Sequence, residues 1–237
     1  MDSRYSEIRK EFEEIFSTYL VFESSDGEFS SPSGLYKLQV STYGAPEKPS
    51  WNCSRGLVTR QSDGTVIADV KRNIGLFWHC WVEHPDSQEY LLCGEDYQGY
   101  CVINLNLESY QVYFPEEAYE GRGFCWTAVY PSPDKLVLAV EGCYWACPFD
   151  IVFYDFRTPD QLPYQELGRI SDTLNITGWM DNNTFQVQQR IQTRKSDGAR
   201  YDELSETEQD KIDAGEIETE YPKITVQFTR PAFDGAG

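Results

Sequence analysis

Hydrophobic positions follow two different periods along the chain. In the first 20 residues they recur at spacings of three and four, with charged residues between them: Ile8, Phe12, Ile15, Phe16, Tyr19 and Leu20. This spacing predicts one amphipathic helix. After residue 20 the apolar residues alternate with polar ones or form short runs bounded by Gly, Pro, Asn and Asp, which is typical of β-strands. The pattern therefore predicts an all-β domain with an N-terminal helical prefix at residues 1–20.

Predicted strands fill most of the remaining chain. They are the segments 35–43, 55–61, 65–71, 77–83, 90–94, 100–106, 110–114, 124–130, 136–141, 150–155, 175–180, 185–193 and 224–229. The second and third segments are separated by Ser62-Asp63-Gly64, and an Asp-Gly pair between two apolar runs favours a hairpin turn. We therefore expect these two segments to pair as antiparallel neighbours.

A weak internal repeat groups the strands into units. A turn containing proline precedes a strand at Pro32, Pro85 and Pro133, so the turns are 53 and then 48 residues apart. Trp78 and Trp126 each lie seven residues before the proline that follows them. A turn and strand that recur every ~40–50 residues predict propeller blades of four strands each.

The repeat divides one predicted domain, residues 1–237, into blade-like units. These are the segments 31–75, 76–123, 124–173 and 174–230, and the last contains an insertion at 195–221. The sequence thus predicts a propeller-like stack of about four antiparallel blades, which is the usual minimum for a closed ring. An incomplete stack is included in this prediction, and a β-sandwich is the alternative fold because it uses similar turn spacing.

One unit carries a resemblance to a known family. Ser132-Pro133-Asp134 lies between two predicted strands, and a later strand of the same unit ends in Ile151-Val152-Phe153-Tyr154-Asp155-Phe156. This arrangement resembles a blade of the WD-repeat β-propellers, although the Gly-His and Trp-Asp dipeptides of that family are absent. The segments 77–85, 94–100 and 141–148 are also similar to a group of small propeller-like proteins without an assigned activity. The resemblance covers residues 31–156 and implies a propeller-like fold.

Charge and composition restrict the classes of partner. The chain has 39 Asp and Glu against 20 Lys and Arg, for a formal net charge of −19. A protein that binds nucleic acid needs clustered cations to neutralise phosphates, so we expect no nucleic-acid partner. Anionic membrane surfaces are disfavoured for the same reason. The 40% hydrophobic and 15% aromatic content predicts a folded chain rather than an acidic disordered one.

The cysteines and the N-terminus indicate a compartment. No segment has the apolar run of a signal peptide or the roughly 20 apolar residues of a membrane span. The chain has seven cysteines, most of them inside strand-like apolar runs. An odd number of buried thiols is typical of a reducing compartment, so the sequence predicts a cytoplasmic protein.

If the units are blades, their loops between second and third strands lie on one end of the stack, together with the loops that join successive blades. These loops are rich in aromatic and carboxylate side chains, a composition suited to a cationic or amphipathic partner. The residues predicted to bind a partner there are Trp51, Glu95, Asp96, Tyr97, Glu116, Glu117, Tyr144, Trp145 and Phe149. The alternative is that Tyr144, Trp145 and Phe149 cap the end of the core.

The insertion concentrates negative charge. Nine carboxylates between Asp202 and Glu220 stand against Lys211 alone. Ser205 and Glu208 have the spacing of a capping box, and Gly215 is placed to end a short helix. We interpret the segment either as an acidic arm that docks a basic partner or as a solvated surface helix.

Candidate catalytic and metal sites are weak. Cys143 and Cys147 could bind zinc with Cys80 and His79, but the chain has only two histidines, and the sequence predicts no metal and no cofactor.

The predicted function is a non-catalytic protein-interaction module for a basic or amphipathic protein partner, with an inhibitor or immunity-type protein as one form. A homodimer that covers exposed sheet edges is an alternative assembly. The alternative function is a hydrolase of a sugar-like substrate, which would use paired carboxylates drawn from Glu83, Glu95 and Glu141.

Overall fold

The protein consists mainly of an N-terminal helix and three antiparallel sheets. The computed structural model describes residues 3–18, 20–21, 27–44, 52–96, 98–144 and 148–233. Helix α1 (Ser3–Thr18) confirms the predicted helical prefix. The prefix ends earlier than expected, because Leu20 already belongs to a strand; Tyr19 lies outside the described residues. No helix in the described ranges is long and apolar enough to cross a membrane.

The first sheet forms an antiparallel unit near the N-terminus, in which β1 and β2 both pair with β3 and the order continues through β4 to β5. Its strands are β1 (Leu20–Val21), β2 (Gly27–Ser30), β3 (Tyr36–Gly44), β4 (Cys53–Arg60) and β5 (Val66–Arg72). The predicted hairpin joins β4 to β5, and Gly64 has a left-handed φ of 72° that glycine adopts without a steric cost. Buried and partly exposed residues alternate along β3, so one face of this sheet is packed.

The second sheet is buried on both of its faces. Its strands, in spatial order, are β6 (His79–Glu83), β7 (Glu89–Gly94), β8 (Tyr100–Asn104) and β9 (Ser109–Tyr113). Every residue of β7 and β8 is buried. Leu91 and Ile103 pack toward the first sheet, whereas Leu92 and Val102 pack toward the third. This double burial explains the continuous apolar runs in these strands, which a sheet with one exposed face would not need.

The third sheet has six strands. In spatial order they are β10 (Cys125–Pro131), β11 (Val137–Cys143), β12 (Phe149–Asp155), β13 (Glu166–Trp179), β14 (Thr184–Arg190) and, beyond the insertion, β17 (Lys223–Thr229). β12 pairs with the first half of β13 and β14 with the second half. The ring of Phe153 in β12 stacks on Phe228 in β17 at 3.7 Å, although about 14 Å would separate those strands in a flat sheet. The sheet therefore curls over itself, and register shifts in β13 mark the bend.

The stack is propeller-like and takes the incomplete form of the prediction. Three sheets lie in layers, with one apolar cluster between the first and second and another between the second and third. The strands of the predicted fourth unit, 174–230, do not make a separate sheet. They continue the third sheet because β13 runs without a turn through the expected unit boundary at residue 173.

The insertion between β14 and β17 has its own local structure. It is bracketed by a two-stranded sheet of β15 (Thr193–Arg194) and β16 (Thr219–Glu220). Helix α2 (Glu206–Asp213) begins after Ser205, and both halves of the predicted capping box with Glu208 are present. Ile212 is buried, so one side of α2 is anchored.

Candidate partner-binding face and aromatic cleft

Helix α1 lies across part of the end of the stack where partner binding is predicted. We call this end the loop face; of the described residues it carries the segments 94–96, 98–99, 114–124, 143–144 and 148–149. Arg9 of α1 donates a hydrogen bond to the backbone carbonyl of Lys71 at 3.0 Å, and the ring of Tyr5 packs against Phe114 at 5.3 Å. The chain therefore covers part of its own predicted binding surface.

Glu95 is enclosed beneath α1. It is 2% exposed, accepts hydrogen bonds from the hydroxyls of Tyr5 at 2.5 Å and of Tyr110, and pairs with Arg9 at 3.0 Å. Burial and the negative charge of Glu95 raise the pKa of Tyr5 far above its ordinary value. A carboxylate with these three partners holds the helix on the sheet, which differs from the expectation that Glu95 is exposed.

Asp96 is also buried and satisfied from within the chain. One of its carboxylate oxygens accepts the backbone N–H groups of Gln98 and Gly99, at 2.7 and 2.8 Å. Burial raises the pKa of this carboxyl. The contacts of Asp96 fix the turn between β7 and β8, so its side chain, like that of Glu95, is not exposed.

A buried arginine supports the same turn. Arg72 is 2% exposed and donates hydrogen bonds to the carbonyls of Asp96, at 3.0 Å, and of Leu76. Burial lowers the pKa of Arg72 to about 10. A Cβ at Gly94 would lie 2.4 Å from the guanidinium carbon, so glycine is needed where the arginine crosses β7.

The other predicted site residues have different surroundings. Glu116 is exposed on a short 3-10 helix (Glu116–Glu120) and pairs with Arg4 of α1 at 2.8 Å. Glu117, next to it, is exposed, and none of the described residues forms an ion pair with it. Tyr144 is 41% exposed. Trp51, Tyr97 and Trp145 lie outside the described residues.

Beside the part covered by α1, the loop face opens into a cleft of about 400 Å³ between the second and third sheets. We call it the aromatic cleft, and its lining is Gln98, Tyr100, Tyr113, Pro115, Glu117, Arg122, Gly123, Phe124, Trp126, Tyr144, Tyr154, Pro163, Tyr164, Glu166 and Arg169. Two predicted site residues, Glu117 and Tyr144, are among them. The structure therefore brings part of the predicted set into one concave surface.

Stacked rings form the floor of the aromatic cleft. The indole of Trp126 is stacked on Tyr100 at 4.1 Å and on Tyr154 at 5.2 Å. Tyr100 is in turn stacked on Tyr164 at 5.5 Å. The faces of these rings are therefore packed against one another, and Tyr100, Trp126 and Tyr164 are almost fully buried, which makes the floor rigid and apolar. The sequence pattern did not identify these residues as part of the site. It placed most of them in strands, and the strand pattern does not show which side chains face a gap between sheets.

An arginine of the chain already occupies one side of the cleft. The guanidinium of Arg169 lies over the ring of Tyr144 at 5.2 Å and donates hydrogen bonds to both carboxylate oxygens of Glu166, at 3.2 and 2.9 Å. Burial alone would lower the pKa of Arg169, but its hydrogen bonds to Glu166 and to the Tyr144 hydroxyl raise it above the ordinary value. The cleft can therefore hold a guanidinium by stacking and paired hydrogen bonds together.

Phe149 lines a second cleft, of about 450 Å³, near the insertion. This cleft also contains Leu174, Tyr221 and Arg190. It does not include Tyr144, so the structure divides the predicted aromatic residues between two concave surfaces.

Some of the acids of the insertion are paired locally. Arg194 binds Asp197 at 2.8 Å and Glu208 at 2.6 Å, and Arg200 binds Asp202 at 3.0 Å. These pairs neutralise part of the charge that the sequence places in this segment. Docking by the insertion stays a prediction.

The candidate catalytic carboxylates are dispersed. Glu83 and Glu95 lie near opposite ends of the second sheet, since Glu83 pairs with Glu89 in the β6–β7 ladder. Glu141 belongs to the third sheet and accepts a hydrogen bond from Tyr130 at 3.1 Å. Glu83 and Glu95 therefore do not form the facing pair of carboxyl groups that glycoside hydrolysis uses, and the hydrolase stays a prediction.

Thiol groups are buried along the strands. Among the described residues Cys53, Cys80, Cys93 and Cys101 are free thiols, and no group of three or more described His, Cys, Asp or Glu side chains could hold a metal ion. Cys147 of the candidate zinc site lies outside that part.

Known proteins include one clear relative in sequence. No protein-family model matches the chain. It is similar to "Uncharacterized protein R762" of Acanthamoeba polyphaga mimivirus, with 32% identity over 210 residues that cover 83% of this chain and 80% of that protein. Among solved structures it is similar to the β-propeller domain of Myceliophteria thermophila Cps50 (Swd1), with 11% identity and a TM-score of 0.43 over 79% of this chain and 52% of that one. The chain thus spans about half the length of that structure.

Proposed function

The chain belongs to the same family as the mimivirus protein R762, and from the geometry of its own aromatic cleft we propose that it is a non-catalytic protein-interaction module. The partner is a protein with a basic or amphipathic segment that enters the aromatic cleft. The observation that carries this proposal is the cleft itself, a concavity of about 400 Å³ with a floor of stacked rings and carboxylates at its edge. Aromatic residues at the centre of a surface supply much of the energy of protein binding.

Charge favours a basic partner. The chain has a net charge of −19, and Glu117 lies exposed at the edge of the cleft. A field of one sign accelerates the encounter with an oppositely charged protein and makes it sensitive to salt. The same field disfavours nucleic acid and anionic membranes as partners. One form of this function is an inhibitor or immunity-type protein that occupies a basic active site.

The thiols support a reducing compartment. Cys93 and Cys101 are directly opposite each other on β7 and β8, with their sulfur atoms 3.1 Å apart and unbonded. Buried free thiols are typical of a reducing compartment, and the cytoplasm is the location that we propose.

The function is tested by site-specific photo-crosslinking in the cells that produce the protein. A photoreactive residue replaces Glu117 at the edge of the aromatic cleft, and in a matched control it replaces Leu107, which is 67% exposed in the β8–β9 connection at the other end of the stack. We expect a protein adduct from position 117 that decreases as salt is raised, and none from position 107. Equal adducts at both positions, or none at 117, would contradict the proposal.

A further inference from the structure

The aromatic cleft has two walls with similar side chains. What we call the β13 wall consists of Glu166 and Arg169 of β13 with Tyr154 of the neighbouring β12, and the β9 wall consists of Tyr113 of β9 with Pro115 and Glu117, which follow it. Each wall therefore combines a tyrosine ring with a carboxylate. The two walls differ in one respect, because only the β13 wall, as defined here, also includes an arginine.

On the β13 wall the chain shows how a guanidinium fits this cleft. Glu166 accepts hydrogen bonds from Nε and Nη2 of Arg169, and Nη1 donates to the Tyr144 hydroxyl and lies 3.6 Å from a carboxylate oxygen of Asp150. The rings of Tyr144 and Phe124 lie beneath it at 5.2 and 5.9 Å. A planar cation is therefore held by its edge and its face at the same time.

On the β9 wall the corresponding carboxylate, Glu117, is exposed. Tyr113 is half-buried and lines the cleft together with Glu117, and burial, followed by the charge of Glu117, raises the pKa of Tyr113. Within the described ranges Glu117 has no ion-pair partner. Arg122, the cation at this edge, is exposed and paired with Glu120.

We propose that an arginine side chain of the partner protein binds to the β9 wall, with its guanidinium stacked on Tyr113 and hydrogen-bonded to Glu117. This inference rests on the proposed function and names the side chain that the aromatic cleft recognises. Arginine fits better than lysine because its planar fork can stack on a ring and bind a carboxylate with two nitrogens, whereas an ammonium is a strongly hydrated point charge. The negative charge of the whole chain attracts such a residue.

The site has the dimensions and floor that one side chain requires. Its volume of about 400 Å³ is within the usual range of ligand pockets, roughly 300–1,000 Å³. Tyr100 and Trp126 close the floor and are each 4% exposed, so an arginine would contact mainly the partly exposed ring of Tyr113, with its methylene stem along the apolar edge of the cleft. Exclusion of water strengthens the interaction of the charge with Glu117.

The test uses three blocked peptides that differ only in one residue, which is arginine, lysine or uncharged citrulline. Binding is followed by the chemical shift of the Trp126 indole N–H in the full-length protein. We expect the arginine peptide to bind about fivefold more tightly than either of the others, the difference typical of one stacked cation.

Variants of the β9 wall assign the effect to named residues. Glu117→Gln should weaken binding of the arginine peptide about fivefold, whereas Glu116→Gln, a neighbouring carboxylate already paired with Arg4, should leave it unchanged. Tyr113→Phe should keep the affinity, because the ring face remains, and Tyr113→Leu should reduce it.

The outcomes separate this proposal from the function on which it rests. If all three peptides move the indole signal equally, or if Glu117→Gln binds the arginine peptide as wild type does, the arginine site is wrong while binding in the cleft stands. If no peptide moves any resonance of the cleft, both the arginine site and the cleft as a protein-binding surface are contradicted.

Discussion

Two neighbouring regions of the loop face use carboxylates in opposite ways. Under α1, Glu95 binds two tyrosines and Arg9. In the aromatic cleft Glu117 lies exposed beside Tyr113, and none of the described residues forms an ion pair with it. Both regions contain the same residue types, tyrosine and glutamate. The difference is whether the chain supplies the cation, and this separates a carboxylate that stabilises the fold from one that is available to a partner.

The comparison also changes the meaning of the net charge. The first region pairs its acids with buried or half-buried arginines, and the insertion pairs several of its acids with Arg194 and Arg200. Charge that is neutralised locally contributes little to steering a partner beyond the Debye length. The acids that face solvent without a partner therefore define the recognition surface better than the total does.

The largest effect should come from the buried cation of the covered region. Arg72→Leu leaves the carbonyls of Asp96 and Leu76 without their donor and removes the positive charge nearest to the Asp96 carboxylate. We expect a loss of about 3–5 kcal/mol in the free energy of unfolding, measured by urea denaturation. The matched variant Arg122→Leu, at the exposed edge of the aromatic cleft, should change it by less than about 0.5 kcal/mol. Similar losses of stability in the two variants would mean that the arginine under α1 does not stabilise the fold more than the exposed arginine of the cleft does.

The strands could be predicted where the hydrophobic pattern of a strand continued over several residues. The runs that became β7, β8, β11 and β12 stood out because both faces of each strand are buried. β2 (Gly27–Ser30) was missed because its sequence, Gly-Glu-Phe-Ser, has a single apolar side chain. The boundary at residue 173 was placed by repeat spacing alone, and nothing in the local sequence reveals that β13 continues through it.

The site was less accessible to sequence reasoning than the fold. Position in a loop suggested that Glu95 and Asp96 are exposed, but exposure depends on α1, which is distant in sequence and packs there through Tyr5 and Arg9. The amphipathic pattern of residues 1–20 predicted a helix with a buried face and did not specify the surface that it covers. Tyr113 and Tyr154 line a cleft because the second and third sheets leave a gap between them. That gap depends on how the sheets pack, and the strand pattern does not show it.

A smaller loss of stability is expected at Glu95, and it distinguishes this residue from Glu117. Glu95→Gln replaces one acceptor oxygen with a donor that faces a tyrosine hydroxyl, and it removes the ion pair with Arg9. We expect a loss of about 1–3 kcal/mol in the free energy of unfolding, and hydrogen exchange should show that amides of α1 lose protection before those of the sheets.

Glu117→Gln serves as the crossed control for that variant. It should leave both the free energy of unfolding and the protection of α1 unchanged within about 0.5 kcal/mol, while it weakens binding of the arginine peptide. Glu95→Gln should do the reverse. If Glu117→Gln also released α1, its carboxylate would belong to the fold, and the contrast between the two regions would be wrong.

The smallest effect concerns a carboxylate of the insertion that is satisfied within the chain, as Glu95 is. Hydrogen bonds from Ser205 and Arg194 lower the pKa of Glu208 to about 2, against about 4.3 for an unperturbed glutamate. Since the folded pKa is depressed, the stabilisation of α2 is fully present above the unfolded value and is lost as the pH falls from about 4.3 toward 2. In wild type, protection of the α2 amides from hydrogen exchange should therefore decrease as the pH falls through this range.

Two variants test whether Glu208 causes this pH dependence. Glu208→Gln keeps the acceptor for the Ser205 N–H and should flatten the dependence, whereas Glu206→Gln, exposed in the same turn, should preserve it. An unaltered pH profile in Glu208→Gln would show that Glu208 is not held by these partners, and it would return this carboxylate to the group available to a partner.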